Sequence, residues 1–165
     1  MKTLYLLIVT LFITTNVSAQ MYEKSVGVRL GYSTGIFFEK QNSDLTSYRF
    51  MMSVREGGRH FTAMKCYRKY KMENLPNYLS LYYGYGAHLG YIKWYQQGNE
   101  DDYGYFLDTK SAPVIGIDAL IGISYDFEKL PISFTCDVKP FIDLWGRHTF
   151  SSTPLDFSIG ATYSF

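Results

Sequence analysis

From residue 113 to 127 the chain alternates almost without exception. Ile115, Ile117, Ala119, Ile121, Ile123, Tyr125 and Phe127 occupy one set of positions, and Gly116, Asp118, Leu120, Gly122, Ser124 and Asp126 the other. Successive side chains of an extended backbone point to opposite faces, whereas a helix returns to one face only every three to four residues. A period of two over this length therefore encodes a strand with one apolar face and one small or polar face, Leu120 alone being out of place.

The same rhythm recurs along the chain. Tyr48, Phe50, Met52 and Val54 alternate with Arg49, Met51, Ser53 and Arg55. Leu79, Leu81, Tyr83, Tyr85, Ala87, Leu89 and Tyr91 alternate with Ser80, Tyr82, Gly84, Gly86, His88 and Gly90. Ile132, Phe134, Cys136 and Val138 face away from Ser133, Thr135, Asp137 and Lys139, and Leu155 to Phe165 repeats the pattern to the last residue. Val26, Val28, Leu30 and Tyr32 begin a further strand, which Ser33-Thr34-Gly35 turns into a short one from Ile36 to about Gln41. Glu56-Gly57-Gly58-Arg59 is a hairpin signal leading into a strand from about His60 to Tyr70, its pattern blurred by Lys65 and Lys69. The other connections fall at Gln41 to Thr46, Lys71 to Asn77, a long polar Gln96 to Ser111, Glu128 to Pro131 and Gly146 to Pro154. The sum is an all-β chain of eight antiparallel strands with no helix.

Residues 1–19 stand apart. Lys2 precedes an apolar run from Leu4 to Ile13, and Asn16-Val17-Ser18-Ala19 offers small residues for cleavage after Ala19, the layout of a secretory signal peptide. The run is too short for a membrane-spanning helix. The expected organisation is a signal peptide over 1–19 and one β-barrel domain over 20–165. Removing the leader takes away Lys2 and no acid, leaving 15 basic and 15 acidic residues. A net charge near zero argues against nucleic acid as a partner. Cys66 and Cys136 enter a compartment where disulfides persist, and free thiols, buried or lipid-facing, are the expectation. His60, His88 and His148 are scattered singly, so no metal site is implied.

Eight antiparallel strands suit a soluble sandwich, a soluble ligand-binding barrel or a membrane barrel. A soluble barrel hides its apolar face inside, whereas a membrane barrel turns that face outward and fills a narrow lumen with polar and small side chains. The polar faces carry Arg29, Arg49, Arg55, Asp118, Asp137, Lys139 and Asp156 among glycines and serines, a set that suits a crowded interior of balanced charge. Gly84, Gly86, Gly90, Gly116 and Gly122 give room in a lumen only eight strands wide. Tyr32, Tyr48, Tyr91, Tyr125 and Tyr163 near strand ends fit interface girdles, in a chain with 16 tyrosines and only 19% charged residues. The reading is an eight-stranded antiparallel up-and-down transmembrane β-barrel.

Gly27-Val28-Arg29-Leu30-Gly31, Glu56-Gly57-Gly58, Tyr82-Tyr83-Gly84-Tyr85-Gly86-Ala87-His88-Leu89-Gly90, Gly116 to Ile123, Leu130-Pro131-Ile132 and Asp137-Val138-Lys139-Pro140 together resemble the small outer-membrane β-barrel proteins of Bacteroidetes-type bacteria. Lys65 and Lys69 depart from that pattern, where the family carries a more regular strand. The resemblance implies an OmpA/OmpX-like barrel in the cell outer membrane. It also implies that the terminal Tyr163 to Phe165 segment is similar to the aromatic signal read by the outer-membrane insertion machinery. With both termini in the periplasm, the loops at Ser33, 56–59, 96–111 and 146–154 face outside.

Three roles remain open. A structural or interaction barrel explains every residue without chemistry; its partners are outer-membrane lipid, the insertion machinery and an outer-membrane protein contacting its loops or rim. A lipid-modifying enzyme, a lipid A hydrolase or acyltransferase, draws on His148 with Ser151 or Ser152 and Asp156, the residue types of a hydrolase triad, here in an outer loop. A narrow channel draws on the interior charges. His88 is expected to point inward as a hydrogen-bonded structural histidine, and Asn99 to Asp102 to form a solvated loop tip. No cofactor is implied.

Overall fold

A computed structural model describes residues 23–55, 57–69, 78–97, 107–127, 129–146, 151–153 and 155–165. The expected leader and its cleavage site lie outside the described residues. Ten strands follow in order: β1 Lys24–Gly31, β2 Thr34–Ser43, β3 Thr46–Arg55, β4 Gly58–Lys69, β5 Leu79–Gln97, β6 Leu107–Asp126, β7 Ile132–Val138, β8 Phe141–Trp145, β9 Ser151–Thr153 and β10 Phe157–Ser164. Every pairing is antiparallel, and the ring closes because β1 pairs with both β2 and β10 while β5 pairs with β6.

Among the described residues the ten strands form eight staves. β7 and β8 both pair with β6, Val138 opposite Ile121 and Phe141 opposite Asp118, so they are one stave interrupted at Lys139 and Pro140. The proline has no N–H to give, but its carbonyl still accepts from Ala119 N at 2.9 Å, and Lys139 N donates to Asp156 O at 2.9 Å. β9 and β10 form the last stave in the same way, pairing with β8 and β7 respectively. A closed, eight-stranded, up-and-down barrel results.

The alternation sorts inside from outside. Arg29, Arg49, Ser53, Thr62, His88, Asp118, Ser124, Asp137 and Ser158 are buried, while Val28, Ile36, Met52, Leu89, Ile121 and Ile159 are each 44–62% exposed. Leu120, the exception in its run, is inward too, and packs with Met64, Cys66 and Tyr82 as a small apolar plug among the polar side chains. Cys66 is buried there and Cys136 lies on the outer face; both thiols are free.

Several boundaries differ from the sequence reading. β2 runs through Ser43 with a register shift between Gln41 and Ser43, so the expected Gln41 to Thr46 loop shrinks to a turn. The expected Gln96 to Ser111 loop is also shorter than predicted, since the β5 and β6 ladder continues to Gln97 opposite Leu107. Where two strands continue past the apolar belt, no apolar face is required, so the alternation fades while the hydrogen bonds persist. β9 occupies part of the expected 146–154 loop. β4 runs in unbroken register against β3 and β5, placing Lys65 and Lys69 outward and Met64 and Cys66 inward. Its pattern blurred because cations and apolar groups exchanged their usual faces. The hairpin before it turns at Gly57, whose φ of 66° lies in the region glycine tolerates.

Glycines on the inner face make room for particular rings. A Cβ on Gly122 meets the Tyr82 ring at 2.6 Å, and one on Gly116 meets the His88 ring and the Ile142 carbonyl. Gly116→Val therefore destabilises the barrel by about 1–3 kcal/mol through overpacking, read as an earlier urea midpoint of the detergent-solubilised protein. An unchanged midpoint contradicts the packing.

Candidate functional site

The interior charges gather where β1, β3, β5, β6 and the two interrupted staves face one another. Arg29 Nε bonds Asp137 Oδ1 at 3.0 Å, and its NH1 reaches Asp156 Oδ1 at 3.1 Å. NH1 also donates to the Ser33 carbonyl at 2.7 Å, and NH2 to the Asp156 carbonyl at 2.9 Å. Asp137 also accepts from Tyr82 OH at 2.9 Å and Ser158 Oγ at 2.7 Å. Lys139 Nζ lies 2.8 Å from Asp118 Oδ1 and 3.5 Å from Asp156 Oδ2. The register with β6 is the same on both sides of Pro140, so Lys139 keeps the inward phase of Asp137 and lies between the two carboxylates.

His88 continues the chain of pairs. Its Nδ1 is 2.7 Å from Asp118 Oδ2 and its Nε2 2.9 Å from Asp143 Oδ1. Ionised carboxylates only accept, so a ring bonded to two of them donates from both nitrogens and is the imidazolium. Arg55 then pairs with Asp143 at 3.1 Å, lies over the Phe141 ring at 3.7 Å and faces His60 Nδ1 at 3.5 Å. Arg29, Arg55, Lys139 and His88 thus stand against Asp118, Asp137, Asp143 and Asp156, four charges against four.

Arg49 belongs to a neighbouring cluster. It pairs with Glu39 at 2.7 Å, and Ser47 Oγ donates to the same carboxylate at 2.6 Å. Its guanidinium sits 4.5 Å from the Phe37 ring centroid and 5.1 Å from that of Tyr82. Tyr82 joins the clusters, its ring toward Arg49 and its hydroxyl on Asp137.

Of the seven charged residues predicted to share the interior, six join one network and Arg49 sits across Tyr82 from it. Glu39, Asp143 and Tyr82 were missed as members. Asp143 continues the odd-numbered inward series of Asp137 and Lys139, a signal present in the sequence. Glu39 falls in the segment whose alternation was too short to assign. Asp156 is fully buried between Arg29 and Lys139, within the expected interior set, while Ser151 and Ser152 are exposed on β9. His148 and Asn99 to Asp102 lie outside the described residues. At the chain's end Tyr163 and Phe165 stack with ring centroids 6.4 Å apart, and Phe165 N donates to Lys24 O at 2.8 Å.

Comparison with protein-family models and with curated proteins finds no match. Among solved structures, the chain is similar to the N-terminal β-barrel domain of Pseudomonas aeruginosa OprF, at 12% identity and a TM-score of 0.50, covering 88% of this chain and all of that one. The likeness is one of fold, a β-barrel.

Removing one partner of a buried ion pair leaves an uncompensated charge. Arg29→Met strands Asp137 and Asp156 and costs about 3–5 kcal/mol of stability, whereas adding Asp156→Asn to it recovers part of the loss. Urea titration of the two variants checks this; additive losses contradict the network.

Proposed function

We propose that the chain is a small integral outer-membrane β-barrel protein of the Bacteroidetes type, without enzymatic activity, whose role is structural or one of interaction through its outer loops and rim. The observation that carries the reading is the inversion of the usual globular pattern: a closed ring with an apolar outer belt and an ion-paired interior. Closure pairs every described strand except the short β9 on both of its edges, the condition for strands to reside in lipid. Aromatic rings cluster at one end of the staves, with Tyr125 at 5.0 Å from Tyr78 and 4.9 Å from Phe127, as an interfacial girdle requires. In this reading residues 1–19 direct export, both termini lie in the periplasm, and the extended β5 and β6 hairpin projects outward toward a protein partner. A lumen crossed by side chains from opposite staves favours a plug over a conduit.

The protein is expected to sediment with membranes and, in detergent, to migrate on gels faster unheated than boiled. Recovery in the aqueous fraction contradicts the reading. In planar bilayers it should conduct no steady current, and Ser151→Ala or Ser152→Ala should leave lipid A composition unchanged; a change in lipid A revives the enzymatic alternative.

A further inference from the structure

The outer face at the end assigned to the periplasm carries cations for which the described residues provide no ion pair. Lys24 lies directly opposite Lys40 on β1 and β2, Lys40 opposite Tyr48, Tyr48 opposite Lys65, and Lys65 opposite Tyr85, so one cross-strand row reads Lys24, Lys40, Tyr48, Lys65, Tyr85. Like charges opposed on neighbouring strands repel. Among the described residues, Glu39, Asp118, Asp126, Asp137 and Asp143 belong to the inward alternation, and Glu23 and Asp44 line the mouth of the bore with Glu39.

Lys65 is also held in place. Its Nζ lies 5.4 Å from the centroid of the Tyr67 ring, which stacks on Tyr83 at 5.3 Å and on Tyr85 at 6.2 Å. The Tyr67 and Tyr85 hydroxyls approach to 3.4 Å. An ammonium and two phenols are thereby presented together on an otherwise apolar wall. Directly above, toward the middle of the barrel, Ala63 pairs with Ala87, and Tyr85 pairs with Ala119. Beside Tyr85 an apolar groove of about 550 Å³ passes Ile117, Ala119, Pro140 and Ile142.

We propose that this row is a binding site for an anionic glycerophospholipid of the periplasm-facing leaflet. Lys40 and Lys65 flank the phosphate, the Tyr67 and Tyr85 hydroxyls donate to it, and an acyl chain lies over the small residues and in the groove at Ala119. The charge pattern selects the occupant: a row of three lysines, with no carboxylate among the described residues of that row, matches an anionic headgroup, and the trough above them matches its hydrocarbon tail. The assignment rests on the membrane reading above and sharpens it from general lipid contact to one site with one charge preference.

The test uses the full-length mature protein reconstituted into vesicles of equimolar phosphatidylcholine and phosphatidylglycerol, then gently extracted and weighed by native mass spectrometry. Wild type should retain phosphatidylglycerol in preference to phosphatidylcholine. Lys40→Gln and Lys65→Gln should each lower that preference about fivefold, while Lys93→Gln at the opposite rim leaves it unchanged. Equal retention of the two lipids, an equal loss in Lys93→Gln, or a second copy of the chain in place of lipid overturns the site. Gel migration before and after heating is read on the same samples. Failure to insert overturns the membrane reading and the site together, whereas insertion without a phosphatidylglycerol preference overturns the site alone.

Discussion

Charges enclosed in a ring eight strands wide have little water to relax into, so each must meet its counterion in the folded barrel or stay stranded at a cost of several kcal/mol. This constraint decides much of the architecture. Backbone ladders tie each stave only to its two neighbours. The ion pairs reach past those neighbours: Arg55 on β3 to Asp143 on β8 spans the bore, while Arg29 on β1 to Asp137 on β7 and His88 on β5 to Asp143 on β8 each skip one stave. Slipping any stave by one residue would turn these charges outward and the apolar set inward. Register and pairing therefore enforce each other.

Lys139 and Pro140 show how the chain meets this demand locally. The ladder with β6 keeps one register across them, so Lys139 stays in the inward phase and bridges Asp118 and Asp156, while Pro140 O accepts from Ala119 N and Lys139 N donates to Asp156 O. The glycines opposite Tyr82 and His88 do comparable work by leaving space for rings whose polar atoms must reach Asp137, Asp118 and Asp143. On the outer surface the rules reverse, and shape matters less than the absence of unpaired polar groups.

Much of this was legible in the residues. Unbroken alternation placed the β3, β5, β6, β7 and β10 segments, and the balance of arginine and aspartate on one face indicated which side is enclosed. The β4 register was not legible, because Lys65 and Lys69 sit outward while Met64 and Cys66 sit inward, so hydropathy there carries the opposite sign. The partners of the charges were not legible either. Pairings such as Arg55 with Asp143 depend on which staves face each other across the bore, a consequence of closure that no local pattern encodes. The catalytic-looking grouping of Asp156 with Ser152 illustrates the converse: nearness in sequence placed together a residue of the interior and one that lies opposite the outward Ile142.

The central claim is that apolar residues face lipid and charged residues face inward, and a cysteine scan along β6 tests it most directly. Single cysteines from Ile115 to Ser124, in a protein with Cys66 and Cys136 replaced by serine, carry a fluorophore and are reconstituted into vesicles of brominated phosphatidylcholine. The account predicts quenching that alternates with a period of two, strong at 115, 117, 119, 121 and 123 and weak between them. Uniform quenching, or the same alternation produced by aqueous iodide instead of brominated lipid, would contradict it.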